Sequence, residues 1–130
     1  MIIGSLIEKE GLDLEDKLKI SSVIFNRLEK QMKLQIDATV IYAITKRQYD
    51  FQRNLTYQDL QIKDPFNTYV YKGLPPEPIS YVGRKTIELI MENYKTNYLF
   101  YFYQNFEKKH IFSENYKEHS KKLDDYRRNK

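Results

Sequence analysis

The chain has no cysteine, no tryptophan, and only four glycines, four prolines and two histidines in 130 residues. Without cysteine there are no disulfides, thiol nucleophiles, iron–sulfur clusters or zinc ribbons. Two histidines cannot furnish a three-histidine metal site. A mixed site with carboxylates stays open, but His110 and His119 read as structural or exposed side chains, so no metal and no cofactor is expected. The opening run MIIGSLIEKE is too short to span a bilayer. It also lacks the basic start and small-residue cleavage site of a signal peptide. Glycine-rich phosphate loops, a GxSxG elbow, internal repeats and low-complexity stretches are missing as well.

What remains is a chain of single-domain length, read as one domain over residues 1–130. Its charge of +4 is unevenly placed: residues 107–130 hold eight basic and five acidic side chains, and the rest is nearly neutral. A neutral body with a basic tail argues against nucleic acid as a partner, which needs a coherent basic face. Twelve tyrosines and seven phenylalanines are the richer signal. Such residues serve core edges and also line grooves for sugars, peptides or bases.

Apolar spacing and capping residues predict a helix over 2–10 stopped by Gly11 as C′ residue, then one over 14–32 capped by Asp13. The second carries a stripe of Leu14, Leu18, Ser21, Phe25, Leu28 and Met32, widened by Val23 and Ile24. Asp37 or Ala38 opens a third helix reaching Lys46, and Thr56 to Asp59 resembles a capping box. Three prolines among residues 75–78, with Gly73, make 64–78 an extended loop. Ser80 is placed as the cap of a helix over 82–93. Tyr98–Tyr103 and His110–Ser113 read as a hairpin, followed by a basic helix from Asn115. The fold class is α+β: a mostly helical single domain with a small antiparallel sheet or hairpin.

Glu8 and Glu10 are two residues apart and therefore point in different directions. At 100° per residue the stripe of Ile2, Ile3, Leu6 and Ile7 has a mean direction of roughly 270°. Glu10 falls at about 280° and Glu8 at about 80° on the same wheel. A carboxyl on an apolar stripe is costly unless paired or protonated, and a carboxyl protonated near neutrality is what general acid catalysis needs. The bland alternative is a frayed helix end with Glu10 in solvent. Leu34-Gln-Ile-Asp-Ala-Thr39 offers Gln35 and Thr39 as ligand-flanking groups, with Asp37 either part of a site or an ordinary helix cap. The loop bearing Asn67 and Tyr69 is either a groove wall or a proline-ordered connection.

Several segments, taken in order, resemble the catalytic domain of the YceG-like endolytic murein transglycosylases. They are Ser5–Glu10, Ser22–Leu28 with Met32, Leu34–Ala43, Phe66–Tyr69, Gly73–Pro76 with Pro78–Ser80, Tyr98–Phe102, His110–Ser113, and Glu118-His119. The chain departs from the family at Val82 and at Asn93-Tyr94. The resemblance implies Glu10 as the catalytic acid and Gln35, Asp37, Thr39, Asn67 and Tyr69 as substrate-binding residues. It implies cleavage of the MurNAc–GlcNAc β-1,4 bond of peptidoglycan glycan strands, leaving 1,6-anhydroMurNAc ends. It further implies cell-wall synthesis enzymes as partners and a place on the extracytoplasmic face of the bacterial membrane, reached through an N-terminal anchor outside this sequence. The rivals are a two-carboxylate glycoside hydrolase using Glu10 and Asp37, and a non-catalytic glycan-binding module that stacks sugars on tyrosines.

Overall fold

Helix α1 (Ile2–Glu10) has Leu6 and Ile7 fully buried against α2 (Leu14–Glu29), whose Ile20, Val23 and Ile24 face them in the centre of the core. The computed structural model describes residues 1–129. Helix α3 (Asp37–Ile44), a 3-10 turn at Asp59–Gln61, helix α4 (Arg84–Met91), strands β1 (Phe100–Gln104) and β2 (Lys109–Ser113), and helix α5 (Tyr116–Arg128) follow. Leu34, Ile36, Ala38, Tyr42, Ile79, Leu89 and Phe112 complete the core cluster of the described residues. Each such side chain contributes about 1.5–3 kcal/mol by leaving water. The α+β architecture read from the sequence is the one observed.

The stripe read on α2 is in large part the buried one: Ser21, Val23 and Ile24 are buried and Leu18 and Leu28 pack against the core. Leu14 and Phe25 are exposed, and the buried face is Ile20, Val23, Ile24 and Arg27. That set has ideal i, i+3, i+4, i+7 spacing, and its two ends, Ile20 and the arginine, are the positions missing from the stripe read in the sequence. Helix ends also shifted. A chain with four glycines has few to spend on left-handed caps, and here Gln31 (φ 58°), Lys46 (φ 51°) and Asn93 (φ 55°) follow helices in that conformation. Gly11 does not: its φ of −81° is extended. It is small because the Lys17 stem crosses it, so that a Cβ would lie 2.2 Å from Lys17 Cγ. Nor does Ser80 cap α4. Gly83 is the cap residue, and the acceptor for this end comes from another helix: Glu8 takes hydrogen bonds from the Gly83 N–H (3.2 Å) and the Thr86 hydroxyl.

Two connections hold the groove walls in place. The proline-ordered loop docks on α1 through Ile79 N–H to Ser5 Oγ (3.0 Å), and its Ile79 carbonyl accepts the Tyr49 hydroxyl (3.0 Å). The capping box at Thr56 and Asp59 forms in both directions, and Arg53 grips the Asp59 carboxylate with two nitrogens. In the hairpin Phe100 lies opposite Ser113, Tyr101 opposite Phe112 and Tyr103 opposite His110. The two-residue period therefore puts Tyr101, Tyr103, His110 and Phe112 on one face and Phe100 and Phe102 on the other. Phe100 and Phe102 meet His119 of α5, with Phe100 stacked on its ring at 5.1 Å.

Candidate active site

A cavity of about 500 Å³ opens between the end of α1, the start of α3, strand β1 and helix α5. Glu10 lines it from the last turn of α1. Its surface is only partly covered because it borders the opening, yet its carboxyl is enclosed by protein on the other sides. The Tyr101 hydroxyl donates to Glu10 Oε1 at 3.2 Å. Burial pushes the Glu10 carboxyl up to about 7, helped by the negative charges of Asp37 and Asp16 and opposed by the Tyr101 hydrogen bond and the His110 charge. Two residues earlier, Glu8 is anchored by Thr86, Gly83 and an ion pair with Lys17 at 3.6 Å, which together outweigh its burial and hold it below the ordinary carboxylate range. One short helix thus carries two carboxyls of opposite character.

Asp37 and Gln35 form the next part of the wall, with Tyr69 of the loop beside them. Asp37 is the first residue inside α3, not its cap, and its carboxylate accepts the Tyr69 hydroxyl at 2.5 Å. Burial and the Asp37 carboxylate raise the Tyr69 phenol well above its usual range. Gln35 has φ 53°, a conformation that costs a non-glycine residue energy. Three contacts keep the bend: the Gln35 N–H reaches the Thr68 carbonyl (3.2 Å), the Ile36 N–H reaches Thr68 Oγ1 (2.9 Å), and Thr39 Oγ1 meets Thr68 Oγ1 (2.9 Å).

Thr39 and Asn67 are not on the wall. Both are fully buried. Thr39 spends its hydroxyl on Ile36 and Thr68. Asn67 donates to the carbonyls of Leu60 (3.0 Å) and Ile62 (2.8 Å) and accepts from the Tyr69 N–H (2.8 Å). The two hold the loop and α3 together behind the residues that face the cavity. The structure therefore brings Glu10, Gln35, Asp37 and Tyr69 to one space and sets Thr39 and Asn67 beneath it.

Five groups in the cavity were not read as site residues: Tyr101, His110, Arg27, His119 and Arg127. Tyr101 was legible, since period-two alternation in the hairpin sets it on the face shared with His110 and Phe112. His110, read as structural or exposed, is structural: its Nδ1 lies 2.8 Å from Asp16 Oδ2, and its ring meets Tyr101 edge-on. Arg27 and His119 also line the cavity. Desolvation and the charges of Arg27 and Arg127 lower the His119 imidazole below its usual value. Among the described residues no three of His, Asp and Glu converge to hold a metal ion, and no helix is long and apolar enough to cross a membrane.

Residues 1–125 match the model of the YceG-like family. The chain is 40% identical over 126 residues to an endolytic murein transglycosylase of Bacillus subtilis, covering 97% of this chain and 34% of that protein. It is 30% identical over 128 residues to an endolytic murein transglycosylase of Streptococcus pneumoniae, covering 95% of this chain and 22% of that one. A 2.6 Å crystal structure of a YceG-like protein from Listeria monocytogenes superposes with a TM-score of 0.80 at 39% identity, over 92% of this chain and 38% of that one. The chain thus spans about a third or less of the length of these curated relatives.

Proposed function

Because the chain belongs to the YceG-like family, we propose that it cuts peptidoglycan glycan strands as an endolytic lytic transglycosylase. One observation carries this reading: a single enclosed carboxyl, Glu10, with a pKa raised to about 7 at the edge of a cavity. A carboxyl protonated near neutral pH donates its proton to the glycosidic oxygen between MurNAc and GlcNAc as that bond breaks. The resulting carboxylate then takes the proton of the MurNAc 6-hydroxyl as this oxygen closes on the anomeric carbon. No water is consumed, and the new end is a 1,6-anhydro sugar. The nucleophile belongs to the substrate, so no second carboxylate has to activate water, in contrast to the paired acids of ordinary glycosidases. Gln35, Asp37 and Tyr69 supply amide, carboxylate and phenol groups for sugar hydroxyls and acetamido groups.

A second reading has its own observation. Asp37 lines the same cavity and its charge is felt by Glu10, as the base of a two-carboxylate hydrolase would be. Cleavage in ¹⁸O-labelled water separates the two. The transglycosylase leaves an unlabelled end lighter by one water, and Asp37→Asn keeps cutting. Labelled reducing ends, with Asp37→Asn inactive, overturn it in favour of the hydrolase. Intact strands with retained glycan binding leave only a binding module. Since the substrate is the cell wall, we place the working protein on the extracytoplasmic face of the membrane, held by an anchor and beside cell-wall synthesis enzymes. Fractionation and crosslinking of the native protein test that placement.

A further inference from the structure

The cavity has a second, basic part that the chemistry at Glu10 leaves unused. Arg27 is 7% exposed, and its guanidinium is fixed by backbone carbonyls alone: Nε donates to Leu99 (2.7 Å), and Nη1 to Lys33 (2.8 Å) and Leu34 (3.3 Å). Phe100 lies against the cation at 5.0 Å. Among the described residues neither Arg27 nor Arg127 makes an ion pair, although both line the cavity. The charges of both act on His119, which lines the same cavity and whose buried Nδ1 has no hydrogen-bond partner among the described residues. A buried cation without a counter-ion is expensive unless something else neutralises it. Carbonyl dipoles do so only in part, and the Nη2 side of the planar fork is left without a protein acceptor. Carboxylates are what such forks bind best, often through two parallel hydrogen bonds.

We propose that Arg27, with His119 and Arg127 of α5, forms an anion subsite that takes a carboxylate carried by the glycan substrate. The inference rests on the transglycosylase reading, because MurNAc brings a carboxyl on its lactyl ether, either free or continued as a peptide with carboxylates of its own. Glu10 and Asp37 repel that group while Arg27 and Arg127 attract it. The cavity therefore has an electrical polarity that orients the strand before the proton moves. Both tyrosine hydroxyls, Tyr69 and Tyr101, feel the two carboxylates and Arg27 at once, so the acidic and basic groups belong to one continuous space.

The test uses the catalytically inert Glu10→Gln chain and calorimetric titration with three sets of glycan oligomers: peptide-free with the lactyl carboxylate, the same with that carboxyl as a neutral methylamide, and peptide-bearing. Loss of one charge-assisted contact weakens binding by about tenfold. Free-lactyl oligomers binding about tenfold tighter than the other two assign the subsite to the lactyl carboxylate. Peptide-bearing oligomers binding tightest assign it to a stem carboxylate. In either case Arg127→Gln and Arg27→Lys, which keeps the charge but loses the planar fork, must erode the preference, while Lys121→Gln, the same charge change as Arg127→Gln at an exposed α5 position outside the cavity, must not. Arg127→Gln serves alone where Arg27→Lys fails to fold. Equal affinity for all three sets, or a preference unmoved by the arginine variants, overturns the subsite. The transglycosylase reading survives that result if chain with Glu10 intact still produces anhydro ends, and both fall if the chain neither binds nor cleaves.

Discussion

On folding, the carboxyl of Glu10 leaves water for a space where Asp37 repels its charge and one phenol supports it. Its pKa moves from the ordinary 4.5 to about 7. Between those values the native state holds a proton that the unfolded chain has released, so stability falls as pH rises through this window, by up to about 3 kcal/mol. Glu10→Gln removes that cost. It should abolish cleavage and raise resistance to urea at pH 8, with little gain at pH 4, as paired denaturation curves would show. Cleavage by the parent chain should decline as pH climbs past about 7, when the acid has lost its proton. Two neighbours tune that limb in opposite directions. Tyr101→Phe withdraws a donor to the ionised form and should move the alkaline limb of kcat/KM to higher pH. Asp37→Asn withdraws a repelling charge and should move it lower.

At the scale of elements, α1 is pinned by a side chain that looks like a surface residue. Glu8 supplies the acceptor for the start of α4 and pairs with Lys17 of α2, joining three helices. Glu8→Ala should cost about 1–2 kcal/mol of stability, read as a lower urea midpoint, while the product of cleavage stays the same. Asn67→Ala strips two part-buried carbonyls and the Tyr69 N–H of their partner. A loss of about 2–4 kcal/mol is expected, accompanied by weaker substrate binding as Tyr69 loosens. These elements also show what sequence carries and what it does not. Helix phase placed Glu10 and Glu8 on opposite sides because both lie within one regular turn pattern. The hairpin and its following helix were legible from alternation and from Asn115 as a cap. The burial of Thr39 and Asn67 was not, because a hydroxyl or amide that serves a ligand and one that serves a backbone carbonyl are the same residue on paper. Arg27 was hidden for the same kind of reason: an arginine on the inner face of a helix breaks the apolar stripe that identifies the face.

Over the described residues, one cluster of buried apolar side chains draws on α1 through α4 and β2. Unfolding should therefore be a single transition, with tyrosine emission and glycan cleavage lost at the same urea concentration. An earlier loss of cleavage would mean that the hairpin and α5 detach before the core. The hydrogen bond between Glu10 and Tyr101 joins residues 91 positions apart. A ribosome makes α1 before the hairpin, so until β1 emerges the Glu10 carboxyl lacks the part of the cavity wall that β1 provides. The enclosure that raises this carboxyl is therefore complete only after strand β1 has been made and packed. On the transglycosylase reading, a chain that stops before β1 carries an unfinished acid, and the order of synthesis delays any attack on glycan until the hairpin is in place.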